Sequence, residues 1–347
     1  MPSQQAFTSD YLRAPSEGVL TPRKSRSPFG RRTASPEEEW IAAAVSGASD
    51  LSSTSRELEQ SIMDWRSLYH LSSRRANILE PMIANIRGPI LELGAGLGSI
   101  TRRLGETGKE VFAVEGSRFR AEVCASRCRD LANVTVICDE ISEFRPGPVF
   151  ETVVMVGVLE YSRSHGTQAK APDPIQAMLT NVVSMLAPGG ELILAIENQM
   201  GLKYYAGFPE DHLGQAMIGV EDKYSSTGPV TFGHSELSWR LSAAGLVGQE
   251  WYYPFPDFKF PQAIVSDRAL KPDLDPGLTS LIVTAVGTDP QTPTLTSFNL
   301  EDAWKVVCRN GEVGSLAHSF LVHASLSHPP QPAALQWSFA APTQDEH

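Results

Sequence analysis

The stretch ILELGAGLGSITRRL, residues 90–104, constrains this chain more than any other. It opens with the apolar character of a buried strand. Gly94, Gly96 and Gly98 follow at alternate positions, and a helical pattern begins at Ser99. A chain that leaves a strand through glycines and enters a helix at once is starting a β-α-β unit. The pattern then repeats. Short apolar segments at 89–93, 110–114, 134–138, 152–156 and 191–196 alternate with helical patterns at 99–106, 118–131 and 174–186. Such an alternation predicts a parallel sheet covered on both faces. Two further strands are expected at 247–253 and 278–286, with a helix over 234–245 before them.

The glycines ask for a ligand at the carboxyl edge of the sheet. A dinucleotide fingerprint reads G-x-G-x-x-G. Here the order is Gly94-x-Gly96-x-Gly98, and Ser99 stands where that fingerprint places its third glycine. Glu115 closes the second strand, where a carboxylate can accept both hydroxyls of a ribose, and Asp139 closes the third. The net charge of −11 weighs against nucleic acid as the main partner. No apolar run reaches the roughly 18 residues that a membrane helix needs. The first residues lack the apolar core of a secretory signal, and four cysteines without zinc-finger spacing point to free thiols. A cytoplasmic protein without a metal is therefore expected. Cys124 and Cys128, four residues apart, read as small buried side chains.

These residues, taken in order, resemble the class I S-adenosylmethionine-dependent methyltransferases. The likeness rests on Glu92-x-Gly94-x-Gly96-x-Gly98, Glu115, Cys138-Asp139, VGVLEY at 156–161 and LAPGGELILAIEN at 186–198, and covers about 85–287. It implies a Rossmann-like three-layer α/β sandwich, with a seven-stranded, mostly parallel sheet whose last strand is antiparallel. It also implies S-adenosylmethionine as cofactor. On the resemblance, Gly94, Ala95, Gly96 and Gly98 let the backbone approach the cofactor, and Glu92 orients its amino group. Glu115, followed by Gly116, binds the ribose hydroxyls. Asp139 meets the adenine amine, with Glu140 or Ile141 against the ring, and Gly157 and Val158 contact the methionine part. Arg74 or Arg75 could reach the cofactor carboxylate. A ligand without a pyrophosphate does not need the dinucleotide pattern's third glycine; one with a ribose diol does need a carboxylate.

The segments IENQMGLKYYAGFPEDHLG, TFGHSELSWRLSAAGL and YYPFPDFKFPQAIVSD further resemble methyltransferase domains found beside glycosyltransferases in bacterial surface-polysaccharide systems. That implies a sugar or glycan-linked acceptor and association with glycosyltransferase machinery. A small hydroxylated metabolite, a natural-product or carboxylate acceptor, and a non-catalytic cofactor-binding scaffold are the alternatives. A hydroxyl acceptor must lose its proton, which calls for His, Asp or Glu near the methyl group. His212 is the first candidate base, with Glu210 or Asp211 to orient it; Glu197 and His234 follow, and Glu160-Tyr161 lies after strand four. Tyr204 and Tyr205 could stack on a sugar, and Asp257 and Lys259 could face the pocket. Residues 1–55 are expected as a disordered arm with one short helix. Residues 56–288 are expected to form the methyltransferase domain, with an acceptor insertion at 197–231. Residues 289–347 are read as a linker, a hairpin turning at Asn310-Gly311 and a disordered tail.

Overall fold

The computed structural model describes residues 11–13, 18–23, 34–164, 167–270, 276–327, 334 and 336–339. The strands are β1 (Tyr11–Arg13), β2 (Val19–Pro22), β3 (Ile90–Leu93), β4 (Val111–Glu115), β5 (Val134–Cys138), β6 (Phe150–Val156), β7 (Leu186–Glu197), β8 (Gly248–Phe255), β9 (Ala263–Ser266), β10 (Ser319–Ser325) and β11 (Gln336–Ser338). The longer helices are α1 (Pro36–Gly47), α2 (Trp65–Leu71), α3 (Ser99–Gly105), α4 (Arg118–Arg127), α5 (Pro174–Met185), α6 (His234–Ala243), α7 (Pro276–Val286) and α8 (Leu300–Arg309). All eleven strands join one sheet, in the order β1-β2-β5-β4-β3-β6-β7-β10-β8-β9-β11. From β2 to β7 every pairing is parallel. β10 is antiparallel to both its neighbours, β7 and β8.

The five expected parallel strands are all present, because each is apolar on both faces. Leu91, Leu93, Val153, Met155, Leu192 and Leu194 point into one core with α5 residues Met178 and Val182. Ile90, Val154, Val156 and Ile193 point into the opposite core, with Ile100 and Leu104 of α3. Alternation of side chains across a strand therefore feeds two helical layers at once.

The seven-stranded expectation is corrected at both ends of the chain. Residues 278–286 form helix α7, not a strand. Their β-branched composition suggested a strand, but Leu278, Ile282, Ala285 and Val286 are buried at helical spacing. The expected hairpin is instead a helix followed by a strand. Asn310 caps α8, and Gly311 adopts a φ of +73° just past its end. Asn-Gly serves a helix C-terminus as well as a hairpin turn, since both need a left-handed residue. Trp304, Val307 and Cys308 of α8 are buried in the main core. Strand β10, read as part of an appendage, lies inside the sheet.

The segment expected as a disordered arm also contributes structure where it is described. β1 and β2 extend the sheet beyond β5. α1 starts with a capping box at Ser35 and Glu38 and buries Ile41 and Val45. The remaining residues of that arm, and most of the expected C-terminal tail, lie outside the described residues.

Candidate functional site

A cavity of about 1130 Å³ opens at the carboxyl ends of β3, β4, β6 and β7. Its floor is the glycine turn. All three glycines have positive φ, yet they do different work. A Cβ on Gly98 would lie 2.9 Å from the backbone of Cys124, so this glycine lets α3 pack on α4; Gly94 similarly abuts Val158. Around Gly96 the nearest atom to an added Cβ is 3.9 Å away, on His70. Gly96 is the glycine that faces open space, and it lines the cavity with Gly94 and Ala95. Gly98 does not line it and instead sits against α4.

Two carboxylates rise beside the turn. Glu115 receives the N–H of Gly96 on Oε2, at 2.9 Å, and the N–H of Ser117 on Oε1, at 2.8 Å. Glu115 lines the cavity, and each carboxylate oxygen can accept a further hydrogen bond, which suits a diol. Glu92, at the end of β3, is 3% exposed. Burial pushes its carboxyl up to about 7, partly offset by the Thr101 hydroxyl. Its Oε2 has no hydrogen-bond partner among the described residues. Arg75 lines the same region, giving one guanidinium nitrogen to Tyr69 Oη at 2.8 Å and another to the Phe258 carbonyl at 3.2 Å. Arg74 sits over the Phe260 ring instead.

Glu140, Ile141, Gly116, Gly157 and Val158 line the cavity; Asp139 does not. The Tyr11 hydroxyl donates to Asp139 Oδ2, and Oδ1 receives the N–H of Glu140. Strand β1, which carries Tyr11, reaches Asp139 from 128 positions away in sequence.

The opposite wall gathers Glu160, Glu197 and His212 from three separate segments. His212 Nε2 lies 3.6 Å from Glu160 Oε1 and 3.8 Å from Glu197 Oε2. His212 Nδ1 is 3.0 Å from Glu210 Oε1, and Glu210 Oε2 also receives the backbone N–H groups of His212 and Leu213. Glu210, rather than Asp211, therefore orients the ring. Burial alone would lower the His212 pKa; the carboxylates of Glu197, Glu160 and Glu210 outweigh it and raise it to about 11. The surrounding carboxylates favour the protonated imidazole as long as nothing else occupies the group. Burial raises the carboxyl of Glu160. Lys259 holds Glu197 Oε1 at 2.6 Å.

Several other expected residues have different work. His234 begins α6, with its ring 4.0 Å from that of Trp251 and edge-on to Phe320. It packs against the sheet and does not line the cavity. Tyr204 is buried and donates to Asp211 Oδ2 at 2.7 Å. Asp257 pairs with Lys203 at 2.8 Å, and both are buried rather than solvated. The aromatic surfaces of the cavity are Trp65, Tyr69, Tyr161 and Phe258.

Residues 91–192 match the family model described as a methyltransferase domain. No curated protein matches the chain in sequence. Among solved structures, the chain is similar to a SAM-dependent methyltransferase from Thermotoga maritima, described as a possible histamine N-methyltransferase. The identity is 14% and the TM-score 0.43, over 76% of this chain and 93% of that one. It is also similar to phosphoethanolamine N-methyltransferase 2 of Haemonchus contortus, at 15% identity and a TM-score of 0.42, over 74% and 52% of the two chains. A third is the geranyl diphosphate C-methyltransferase of Streptomyces coelicolor, at 14% identity and a TM-score of 0.42, over 82% and 84%. The segment matched by the family model contains the glycine turn, Glu92, Glu115 and Glu160. By that match, residues 91–192 carry a methyltransferase domain. No helix among the described residues is long and apolar enough to cross a membrane.

Proposed function

We propose that this enzyme methylates a hydroxyl group of a small polyhydroxylated acceptor, either a sugar or a glycan-linked one. One observation carries this reading. Glu160 and Glu197 are each 1% exposed, stand on the cavity wall, and each keep one oxygen without a hydrogen-bond partner among the described residues. Buried carboxylate oxygens of this kind need donors, and an acceptor rich in hydroxyls supplies them. An anionic acceptor would meet repulsion from the same wall, which disfavours carboxylate methylation.

S-adenosylmethionine, the cofactor in this reading, fits the residues present. Its amino-acid end is a zwitterion, matched by the unpaired Glu92 oxygen and the Arg75 guanidinium. Its ribose diol is matched by Glu115, and the open face of Gly96 leaves room for it. When bound, its sulfonium supplies the methyl group. The chain's own residues then align the acceptor oxygen and take its proton. Glu160, Glu197 and His212 are the groups on the acceptor side of the cavity placed for both tasks. Lys259 keeps Glu197 in place. The sequence likeness of the 196–214, 231–246 and 252–267 segments to domains beside glycosyltransferases supports a glycan-linked acceptor.

The test is transfer of radiolabelled methyl from S-adenosylmethionine to a panel of sugars, nucleotide sugars and carboxylic acids. Labelled sugar ether, abolished in Glu197→Gln with cofactor affinity retained, is the expected result. Labelling of carboxylic acids alone would overturn the reading.

A further inference from the structure

The distances within the Glu160, Glu197 and His212 group do not suit hydrogen bonds. Nε2 of His212 stands 3.6 and 3.8 Å from the nearest carboxylate oxygens, beyond the roughly 3.2 Å limit of a good N–H···O bond. They come closer to the spacing of neighbouring ligands on one ion. Ligand atoms about 2.1 Å from a metal are roughly 3.0–3.4 Å apart in octahedral or tetrahedral geometry. One ligand atom from each of the three residues lies within 4.8 Å of the other two. Oε2 of Glu160 and of Glu197 has no hydrogen-bond partner among the described residues, although both side chains are almost fully buried. Behind the group, Glu210 accepts at His212 Nδ1, leaving Nε2 directed at the carboxylates. A carboxylate behind a histidine is the usual support for a metal-ligating imidazole.

We propose that Glu160, Glu197 and His212 form a binding site for one divalent first-row metal ion, of the Mn²⁺ or Zn²⁺ type, on the acceptor side of the cavity. Two carboxylate oxygens and one imidazole nitrogen suit such an ion better than a purely oxygen-preferring one. Three protein ligands leave open positions, and the cavity is the direction from which others arrive. Adjacent hydroxyl oxygens of the acceptor would fill two of them. This narrows the acceptor to a vicinal diol, and it rests on the reading of this cavity as the acceptor site.

The experiment uses the full chain, stripped with chelator and exchanged into clean buffer. MnCl₂ is titrated in, and free Mn²⁺ is followed by electron paramagnetic resonance. One ion bound per chain is expected. Glu160→Gln should abolish binding. Glu210→Gln, which alters the support behind the ring and not a ligand, should weaken it about 10–100-fold. Thermal melting of each variant shows that it is folded, and the wild-type stoichiometry stands even if one variant is not. Failure of folded wild type to bind either Mn²⁺ or Zn²⁺ at millimolar concentration would overturn the proposal. So would binding unchanged by Glu160→Gln, or sugar methylation that persists undiminished in excess chelator. One ion bound by a protein that methylates no hydroxylated acceptor would uphold the metal site and refute the proposed function alone.

Discussion

Replacing Glu92 with Gln should stabilise this protein at alkaline pH and weaken its hold on the cofactor. Glu92 is buried at the end of β3, and one carboxylate oxygen has no hydrogen-bond partner among the described residues. Its pKa of about 7 stands above the ordinary 4.5. Between those two pH values the folded protein holds a proton that the unfolded chain has lost. The favourable contribution is therefore complete below about pH 4.5 and is lost as pH rises through 7. Above pH 8 the buried charge costs roughly 3 kcal/mol, at about 1.4 kcal/mol per pH unit. Gln has the same shape and no charge, so the variant avoids that cost. Urea unfolding at pH 8.5 should find Glu92→Gln more stable than wild type by up to about 3 kcal/mol; at pH 5 the gap should shrink to within about 1 kcal/mol. Calorimetry should then show S-adenosylmethionine binding the variant tenfold to about a hundredfold more weakly at pH 8, from loss of one charge-assisted bond. A stability difference independent of pH would refute the burial argument. A variant that gains stability and binds the cofactor as tightly as wild type would refute the assignment of Glu92 to its ammonium group.

The two kinds of glycine in the turn should separate experimentally. Gly98→Ala forces a Cβ against the Cys124 backbone at positive φ and should lower the denaturant midpoint by the equivalent of about 1–3 kcal/mol; Gly96→Val should instead abolish cofactor binding in a protein that still melts cooperatively. Trp304→Ala removes a fully buried side chain that packs edge-on to Phe255, and urea unfolding should register a loss of about 3–5 kcal/mol. An effect below 1 kcal/mol would mean that α8 is peripheral after all. Lys203→Met would leave the buried Asp257 and Asp211 with less compensating charge, and about 3–5 kcal/mol should be lost in the same assay.

The parallel half of the sheet was legible because a strand buried on both faces has a distinctive composition. ILEL, VFAVE and FETVVMV leave little else that they could be. The C-terminal half was not legible, for physical reasons. GLTSLIVTAV is β-branched enough for a strand, and only packing reveals that one face of a helix is buried. Asn310-Gly311 reports a left-handed backbone without saying which element it ends. The same division runs through the site. Glu92, Gly96 and Glu115 follow from their places at strand ends. The contact of Asp139 with Tyr11 was not legible, because Tyr11 arrives on a strand whose docking no local pattern announces. Glu160, Glu197 and His212 were each noticed singly. Their convergence depends on three segments folding together, and so does the charge on His212.

Strand β10 gives the order of synthesis a role in when the enzyme becomes competent. A growing chain makes β7 and β8 well before the strand that must slide between them. Until then both carry unpaired backbone edges, the kind of surface that invites wrong partners. The acceptor half of the cavity waits on the same event. The N–H of Asn198, next to Glu197, is held by the carbonyl of His318, and the N–H of Phe258, next to Lys259, by the Ser319 hydroxyl. The glycine turn needs neither contact. A nascent chain can therefore complete its cofactor floor early, while the residues that would receive the acceptor take their positions only after residues 318–325 have emerged and docked.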